Sequence, residues 1–559
     1  MSAAPLLAPA CAAASTASVD VDPGAIVRVY GAAGTFGGLD HRAATPTGEA
    51  LTTAPVPGWG FLPGQSAYFP AIAPDGTIVI ANEPQTDNQL RPTARQMALT
   101  TFDPATLRFA NTVVPTSTGL TELGGPWPAA SSIVGGGDVS DVGVIRAGSS
   151  TRVVFTSAMP FWGWASGGGE YPTLGVLAQN SDGGWSVDRR RSRTASDLAV
   201  SAGRAERARI RMASRKSRKA RRAAHAAAAA TGDACVTRSY PGMDTYGDCR
   251  MPAEFAQLPA SQGLVVTQYA FDDPDRPSGR LSVLDPVRGN VLASYAYPSI
   301  TAPDGGQLAV HPREVVADPY GRSGAERFVV IFDAERGVGD AGAPSVAGAM
   351  QEFAYDAKSG TLTPLSAPIL TGDRAADGTP LGFETATYDA RGDLWAGQSQ
   401  VGTLQAGALA VYRRTSRGTV LAGRSGCSVS SAWRGQAWGR TCAPDVRIGE
   451  AAGLGIARSL DPLPGGTVVL STMSGRVLAV RRTADGGLAA GRSVDLGLDL
   501  LADRSTVRIG PRKAAYDRAR HLLWIPIQQL ATDRTCASWP CPPQVLDQWL
   551  VAVDVTRLG

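Results

Sequence analysis

The sequence predicts an all-β fold built from one four-stranded unit repeated seven times, and three observations support this prediction. Strand-plus-turn pieces recur along the chain, from QMALTTFDPATL at Gln96 to QWLVAVDVTRLG at Gln548. Runs rich in β-branched and aromatic residues precede these pieces, as in GTIVIANEP at Gly76 and ERFVVIFDAE at Glu326. The last copy ends at Gly559, one strand short of the others. Repetition at this scale is typical of solenoids and propellers, and an unfinished last unit favours a closed ring.

Each strand of the unit has its own sequence character. The first strand is rich in small residues, as in EFAQLPASQG and FETATYDARG, which suits an innermost strand where units converge on an axis. The second strand is a short apolar run bounded by Gly, Pro and Asp, too short for a helix. The third strand follows a long connection, and an Asp/Gly turn leads from it into the fourth strand.

These features predict a seven-bladed β-propeller. In the seventh blade, we expect the N-terminal segment Ala25–Tyr30 to supply the missing outer strand, paired with Val551–Val555. Residues 21–559 then form one domain, and two packed β-sandwiches are the alternative.

The charge of the chain is unevenly distributed. Arg189–Arg222 holds 14 Arg and Lys residues against Asp197 and Glu206, a net charge of +12, whereas the whole chain carries +4 and the remainder therefore −8. This stretch lies in an Ala/Arg-rich insertion, residues 189–232, between the second and third blades. With few large apolar residues it is expected to form a helical or disordered arm that packs no core. Its charge favours an anionic cell-wall polymer, an acidic polysaccharide or a nucleic acid as partner, and a protease-sensitive loop is the alternative.

The cysteines favour an oxidising compartment. Six of the seven form close pairs in sequence, each in a loop between expected strands: Cys235/Cys249, Cys427/Cys442 and Cys536/Cys541. Their spacing does not match paired C-x-x-C metal ligands, so three disulfides are expected. Residues 1–20 resemble the end of a secretory leader, which would contain Cys11 unless that residue is lipid-modified. We therefore expect a secreted or cell-surface protein. The sequence contains no apolar run long enough to span a membrane.

The expected loops differ strongly between the two ends of the blades. Connections from first to second and from third to fourth strand are short, whereas the other two kinds are long, and both long kinds emerge at the same end. Tryptophans concentrate in these long loops, and their flat rings suit stacking on sugars or anchoring a protein. The binding candidates are Trp162, Trp164, Trp433, Trp438 and Trp539. The alternative is that these rings pack their own loops onto the ring of blades.

Carboxylates form a second set of candidates. Glu254, Glu314 and Glu384 lie in the expected inner strands of consecutive blades, and Glu450 lies just before the next one. Converging carboxylates could bind Ca²⁺ or act as general acid and base at the mouth of a central channel. The alternative is a set of solvated rim charges balanced by Arg313 and Arg447. The loop FDDPDRPSG, with Asp272, Asp273 and Asp275, is a further cation candidate that lacks the complete calcium-loop pattern.

Two segments carry a family resemblance. PLGFETATYDARGDLWAGQ (Pro380–Gln398) and GLGIARSLDPLPGGTVVLSTMSGRVLAV (Gly453–Val480) resemble the blade signatures of gluconolactonase/regucalcin-like and NHL-type propellers. The resemblance implies a propeller fold, and in the gluconolactonase-like enzymes a divalent metal held at the channel mouth by Asp, Asn and Glu. Here Leu381 stands at the Asp position and Leu454 at the Asn position.

Two function classes follow. The first is an exported, monomeric binding or scaffold protein whose loop-rich end takes an extracellular carbohydrate or protein. The alternative is a metal-dependent hydrolase or lactonase that uses the channel-mouth carboxylates. The sequence contains no G-x-S-x-G, H-E-x-x-H or P-loop motif.

Overall fold

The fold is that of a β-propeller, as seen in a computed structural model of the chain. The structure describes residues 25–31, 65–84, 98–104, 108–116, 119–123, 138–159, 172–179, 181, 185–188, 190–194, 198, 201–205, 236–238, 246–248, 251–269, 279–301, 307–320, 325–335, 345–370, 373–374, 381–400, 407–415, 418–424, 440–441, 457–472, 475–484, 487–496, 507–509, 513–530 and 545–558. In this part of the chain, seven sheets contain four to six strands each.

The strands follow one another sheet by sheet. The first strand, β1 (Ile26–Gly31), belongs to the last sheet. Sheet 1 comprises β2 (Gln65–Ile72), β3 (Ile78–Pro84), β4 (Ala98–Asp103), β5 (Arg108–Thr116) and β6 (Gly119–Leu123). Sheet 2 comprises β7 (Asp138–Ala147), β8 (Ser150–Met159), β9 (Pro172–Gln179), β10 (Trp185–Val187) and β11 (Arg193–Thr194). A separate hairpin follows, with β12 (Val236–Arg238) and β13 (Tyr246–Asp248).

The middle of the chain forms two further sheets. Sheet 3 comprises β14 (Met251–Gln257), β15 (Leu264–Tyr269), β16 (Arg280–Leu284) and β17 (Val291–Ala296). Sheet 4 comprises β18 (Ile300–Thr301), β19 (Gln307–Ala317), β20 (Glu326–Glu335), β21 (Ser345–Asp356), β22 (Thr361–Pro364) and β23 (Ile369–Leu370).

The C-terminal part forms three more sheets. After β24 (Asp373–Arg374), sheet 5 comprises β25 (Leu381–Tyr388), β26 (Leu394–Gln400), β27 (Gly407–Thr415) and β28 (Gly418–Arg424), and β29 (Arg440–Thr441) then pairs in parallel with β24. Sheet 6 comprises β30 (Ala457–Pro462), β31 (Thr467–Thr472), β32 (Arg476–Arg482) and β33 (Leu488–Asp495). Sheet 7 comprises β34 (Val507–Ile509), β35 (Ala515–Asp517), β36 (Leu522–Leu530) and β37 (Val545–Asp554) with β1. Pro464–Gly466 and Val555–Arg557 are short 3₁₀ turns.

The hydrophobic core is distributed between neighbouring sheets rather than gathered in one place. Separate clusters of buried side chains join sheets 2 and 3, 3 and 4, 4 and 5, 5 and 6, and 6 and 7. Strand β2 of sheet 1 packs against β36 of sheet 7 on one side and β7 of sheet 2 on the other. Each sheet thus buries both of its faces against its neighbours, which explains why the second strands are apolar throughout rather than alternating.

The predicted closing strand is confirmed. Strand β1 pairs antiparallel with β37, with Val29 opposite Val551 and Tyr30 opposite Leu550. The pairing supplies sheet 7 with its outer strand from the opposite end of the chain. An otherwise open edge of β37 is thereby covered.

The predicted Asp/Gly turn from the third to the fourth strand is confirmed in sheet 3 at Asp285, and similar aspartate turns join the first and second strands of sheets 1, 4, 5 and 7. The side chains of Asp75, Asp285, Asp318, Asp389 and Asp517 each accept a hydrogen bond of 2.8–3.0 Å from the backbone N–H two residues further on. This is the local bond by which Asp favours turns. The turn of sheet 1 also needs a glycine. Gly76 has a φ of +89°, and a Cβ there would lie 2.8 Å from the guanidinium of Arg520.

The start of the basic insertion corrects a prediction. The insertion was expected to pack no core, yet Leu198 and Ala202 are 1% and 3% exposed and belong to the cluster between sheets 2 and 3. Residues 201–205 are helical, and the backbone N–H of Val291 donates to Ser201 Oγ over 2.9 Å. The few apolar residues of this stretch therefore dock it against sheet 3, despite its overall charge.

Candidate functional site

The innermost strands share an irregularity that shapes the centre of the ring. In sheets 1 to 6 the register of the first long strand slips at a β-bulge, and in sheet 2 it slips a second time between Asp138 and Val139. The slips fall between Tyr68 and Pro70, Val139 and Asp141, Pro252 and Phe255, Pro312 and Glu314, Phe383 and Thr385, and Ala457 and Ser459. A bulge leaves backbone groups outside the ladder and redirects side chains. Five charged residues lie at or beside these bulges: Asp141, Glu254, Glu314, Glu384 and Arg458.

Two carboxylates satisfy backbone N–H groups of the neighbouring inner strand. Asp141 Oδ2 of β7 accepts a hydrogen bond of 3.2 Å from the N–H of Phe255 in β14. Glu314 Oε2 of β19 accepts one of 2.9 Å from the N–H of Ala386 in β25. A buried N–H without a partner is costly, so each carboxylate stabilises the junction between two sheets.

One lysine gathers these carboxylates. Lys513 Nζ lies 2.9 Å from Asp141 Oδ2, 3.7 Å from Glu254 Oε2 and 3.7 Å from Glu314 Oε1. The three acids are 1%, 1% and 6% exposed as whole residues. They belong to sheets 2, 3 and 4, whereas Lys513 lies between β34 and β35 of sheet 7, so the lysine reaches across the ring rather than to a neighbouring sheet. We call Asp141, Glu254, Glu314, Asp461 and Lys513 the central cluster.

The backbone of Lys513 is held in an uncommon conformation. Its φ is +62°, in the left-handed region that side-chain-bearing residues rarely adopt. Its N–H donates to the carbonyl of Arg458 in sheet 6 over 3.1 Å. Strain of this kind costs on the order of 1 kcal/mol and persists where the surroundings over-determine it. Here the ammonium contacts and this backbone bond together fix the residue.

The charges of the central cluster shift one another's protonation. Burial disfavours the charged form of Lys513, but the charges of Asp141, Glu254 and Glu314 outweigh burial and raise the pKa of the ammonium. Burial raises the pKa of Glu314, although Lys513 and the N–H of Ala386 act in the opposite direction. Lys513 therefore stays protonated at neutral pH and is the resident cation of the cluster.

Asp461 is the member with a pKa near neutrality. Burial, reinforced by the negative charge of Glu314, raises its pKa to about 7, while a 2.6 Å hydrogen bond from Ser459 Oγ and the charge of Lys513 lower it. At pH 7 this carboxyl group is divided between its acid and its ionised form. The cluster thus holds three other carboxylates and one ammonium, with Asp461 able to take up or release one proton.

A second ion pair lies beside the central cluster. Glu384 in β25 accepts from Arg458 Nη1 in β30 over 3.4 Å, and the two side chains are 18% and 8% exposed. Each residue is the one left outside the ladder by the bulge of its own strand. The pair connects sheets 5 and 6 in the way that the ion pairs of Lys513 connect sheets 2, 3, 4 and 7.

The expectations about the inner carboxylates are met in part. The structure brings Glu254 and Glu314 together and places Glu384 apart, against Arg458. The alternative of solvated rim charges is wrong for Glu254 and Glu314, because both are buried. Their partner is Lys513, which the sequence did not single out.

The remaining candidates lie outside the described residues. These are Glu450, the tryptophans Trp162, Trp164, Trp433, Trp438 and Trp539, the acidic loop residues Asp272, Asp273 and Asp275, and the cysteines Cys235, Cys249, Cys427, Cys442, Cys536 and Cys541. Their roles stay predictions.

Three residues of the central cluster were missed by sequence reasoning. Asp141 lies in a strand without a repeat signature, and Asp461 resembles the turn aspartates of the other units. Lys513 carried a usable signal, because the chain has only four lysines (Lys216, Lys219, Lys358 and Lys513) among many arginines. A lysine just before an inner strand is therefore unusual in this sequence and indicates a specific role.

The residues do not fit the metal site that the family resemblance implies. Leucine side chains offer no ligand atom at positions 381 and 454. Within the described ranges, no group of three or more His, Cys, Asp and Glu side chains is arranged to hold a metal ion. The carboxylates that could converge on a cation converge on the ammonium of Lys513 instead.

Comparison with known proteins finds matches among solved structures only. No protein-family model matches the chain, and no curated protein matches it. Among solved structures, a 6-phosphogluconolactonase-like protein from Bacteroides fragilis is 13% identical with a TM-score of 0.38, covering 83% of this chain and 92% of that chain. An ulvan lyase of polysaccharide lyase family 25 is 6% identical with a TM-score of 0.41, covering 89% and 96%. The propeller of Dos1 is 9% identical with a TM-score of 0.35, covering 88% and 92%.

The first prediction concerns the cation of the central cluster. Lys513→Met keeps most of the unbranched side chain but leaves Asp141, Glu254 and Glu314 without their ammonium. Because removing one partner strands buried charge, we expect the free energy of unfolding at pH 7.5 to fall by about 3–5 kcal/mol, measured by chemical denaturation. The loss should shrink at pH 5, where the stranded carboxylates take up protons. An unchanged stability at both pH values would contradict a stabilising role for the ammonium.

The second prediction concerns Asp461. Its pKa of about 7 in the folded protein exceeds the ordinary 3.8, so the folded state holds a proton that the unfolded state releases. The stabilisation from this proton is complete below pH 3.8 and is lost as pH rises through 7. Asp461→Asn, neutral at every pH, should therefore gain stability relative to the wild type as pH rises from 5 to 7, by at most about 1.4 kcal/mol per pH unit.

Denaturation curves at several pH values would measure this slope. Asp356→Asn is the matched control, because hydrogen bonds from Ser359 and Lys358 lower the pKa of that exposed carboxyl. Its stability difference from the wild type should stay flat over the same range. Parallel slopes for both variants would contradict a proton held by Asp461.

Proposed function

We propose that the chain is a seven-bladed propeller that acts outside the cytoplasm as a binding or scaffold protein. In this proposal each of the seven sheets of four to six strands is one blade, which agrees with their contacts in chain order. Seven lobes in an electron-microscopy projection along the ring axis would support this blade count, and another number would refute it.

The observation that carries the binding proposal is the asymmetry of the connections. Adjacent strands of sheets 1, 3 and 5 are joined at one end by the short turns 73–77, 258–263 and 389–393. At the other end, the connections include 85–97, 160–171, 425–439 and 531–544. Because the strands run antiparallel in sequence order, the long connections leave from the same end of their sheets. A rigid ring with variable loops at one end is the usual arrangement of binding proteins.

The composition of the long connections suggests the ligand class. The loop-borne candidates Trp162, Trp164, Trp433, Trp438 and Trp539 fall within these connections or beside them. Aromatic rings next to glycines favour carbohydrate stacking or a protein anchor. We therefore propose an extracellular carbohydrate or protein as the ligand of this end.

The central cluster supports binding over hydrolysis. A hydrolytic metal or general-base site needs carboxylates available to a metal or to substrate. Glu254 and Glu314 contact Lys513 instead, and Glu384 contacts Arg458. These ion pairs favour a role of the inner carboxylates in stabilising the fold.

The hydrolase or lactonase alternative retains one favourable observation. Asp461, with a pKa of about 7, could exchange a proton near neutral pH. A lactone or glycoside substrate screen with the wild type and with Asp461→Asn would test this alternative. Activity lost in the variant but unchanged by removal of the loop tryptophans would favour it over the binding proposal.

Export is supported by the cysteine spacing and by one described hairpin. Strands β12 and β13 pair antiparallel with Val236 opposite Asp248. Cys235 and Cys249 are the next residue before β12 and the next after β13. A disulfide here would close a short loop and limit the freedom of the unfolded chain.

The third prediction tests ligand binding. Purified protein screened against glycan and extracellular-protein arrays should show a ligand whose affinity falls at least tenfold in Trp162→Ala/Trp164→Ala and in Trp433→Ala/Trp438→Ala, because truncated aromatic anchors lose stacking area. Tyr320→Ala is the matched control, since this exposed tyrosine lies in a short turn at the opposite end. Equal affinity in all variants would refute the tryptophan-bearing end as the binding site.

The fourth prediction tests the oxidising compartment. Thiol titration of the denatured, unreduced protein from its native source should find no free thiol among Cys235, Cys249, Cys427, Cys442, Cys536 and Cys541. Peptide mapping should recover Cys235 linked to Cys249. Six reactive thiols would refute the three disulfides and remove the main support for export.

A further inference from the structure

A basic surface lies at the junction of sheets 2 and 3. After β10 the chain returns to sheet 2 as β11, from which Arg193 Nε donates to the carbonyl of Gly289 in sheet 3 over 2.9 Å. The same guanidinium donates to the carbonyls of Arg190 (2.6 Å) and Arg288 (3.0 Å). One half-buried arginine thus holds the backbones of two other arginines close together.

A second arginine fixes the same stretch. Arg191 donates to the carbonyl of Val287 and pairs with Asp188, which also pairs with Arg152 at 2.6 Å. Asp188 is thus paired with two arginines inside the segment. The backbone of the segment is therefore fixed by its own arginines, and this fixed backbone supports the remaining guanidinium groups.

Those remaining groups point to solvent. Arg146, Arg190, Arg204 and Arg288 are exposed, and we call them the arginine corner. In the described part of the chain, no carboxylate pairs with the side chains of Arg146, Arg190 or Arg204, and Arg288 lies 3.9 Å from Asp285. Arg146 reaches this junction because its N–H donates to Gln257 Oε1 of sheet 3 over 2.8 Å.

The net charge of this surface is high. Its described charges are the seven arginines at 146, 152, 190, 191, 193, 204 and 288 against Asp188 and Asp285, a net of +5. The chain outside 189–222 carries −8. The corner is therefore a local positive surface on an otherwise acidic body, the pattern expected for attraction of a polyanion.

The arginine corner lies at the end of the sheets opposite to the one from which the tryptophan-bearing connections leave. Val287 and Arg288 belong to the turn between β16 and β17, and Gly148 of the turn between β7 and β8 approaches Val287. Both turns are short connections, so they are at the end of the sheets opposite the long ones. The two surfaces could be occupied at the same time.

We propose that the arginine corner binds a linear acidic polysaccharide bearing carboxylate or sulfate groups. Guanidinium groups pair with such anions through two parallel hydrogen bonds, and fixed backbones lower the entropy lost on binding. The choice of a polysaccharide over a nucleic acid rests on the proposed export.

Binding to a polyuronate and to a sulfated glycosaminoglycan, measured against salt concentration with the full-length protein, tests this inference. In Arg190→Ala/Arg204→Ala/Arg288→Ala we expect at least a tenfold loss of affinity and a smaller salt slope, by about one for each lost contact. The control Arg481→Ala/Arg492→Ala/Arg518→Ala removes the same charge from exposed sites of sheets 6 and 7. It should bind within twofold of the wild type.

The other outcomes overturn the inference. Equal losses in both triple variants would show a general charge effect. Tighter binding to duplex DNA than to either polysaccharide would assign the corner to nucleic acid. If neither polysaccharide binds at the arginine corner while tryptophan-dependent binding is intact, this inference is wrong and the proposed function of the other end is unaffected.

Discussion

The ring depends on one ammonium group that compensates buried carboxylates from three sheets. Lys513 lies between two strands of the last sheet, while Asp141, Glu254 and Glu314 come from the second, third and fourth. Neighbouring sheets are held by apolar clusters, which act only between adjacent sheets. The lysine contacts join sheets that are far apart around the ring. Isolated carboxylates at these positions would have to neutralise, because their charge is costly in a poorly solvated site.

The same carboxylates also serve the backbone. A bulge in each inner strand of sheets 1 to 6 removes groups from the ladder, and Asp141 and Glu314 accept hydrogen bonds from N–H groups of the next inner strand. Bulge, carboxylate and lysine therefore form one arrangement. The bulges free the N–H groups, the acids bind them, and Lys513 balances the acids. Asp461 adds a proton whose uptake adjusts the charge near pH 7.

Much of the fold could be predicted from local sequence, because strands and turns depend on nearby residues. The structure contains three such predicted features: the apolar strand after Gly76, the turn aspartate Asp389 and the closing strand that ends at Gly31. The central cluster could not be predicted in the same way. Whether Glu254 meets Lys513 depends on bulge positions, since a slip of one residue turns a side chain to the other face. The packing of Leu198 against sheet 3 was not predicted, because the high charge of the surrounding sequence indicated a solvated segment.

The molecule has a fixed centre and two ends with proposed binding functions. Internal pairing at the centre supports a scaffold, the long connections are proposed to bind a carbohydrate or protein, and the arginine corner is proposed to bind a polyanion. No helix among the described residues is long and apolar enough to cross a membrane. The proposed binding functions depend on a rigid ring, which in turn depends on the cross-ring contacts of Lys513.

A double-mutant cycle between Lys513→Met and Asp141→Asn tests this central claim most directly. Chemical denaturation of the wild type, both single variants and the double variant would give the interaction energy. If the 2.9 Å contact stabilises the ring, the two changes should be non-additive by more than about 1 kcal/mol, with the double variant losing less than the sum. Losses that add to within about 0.5 kcal/mol would contradict the claim, because independent sites add in that way.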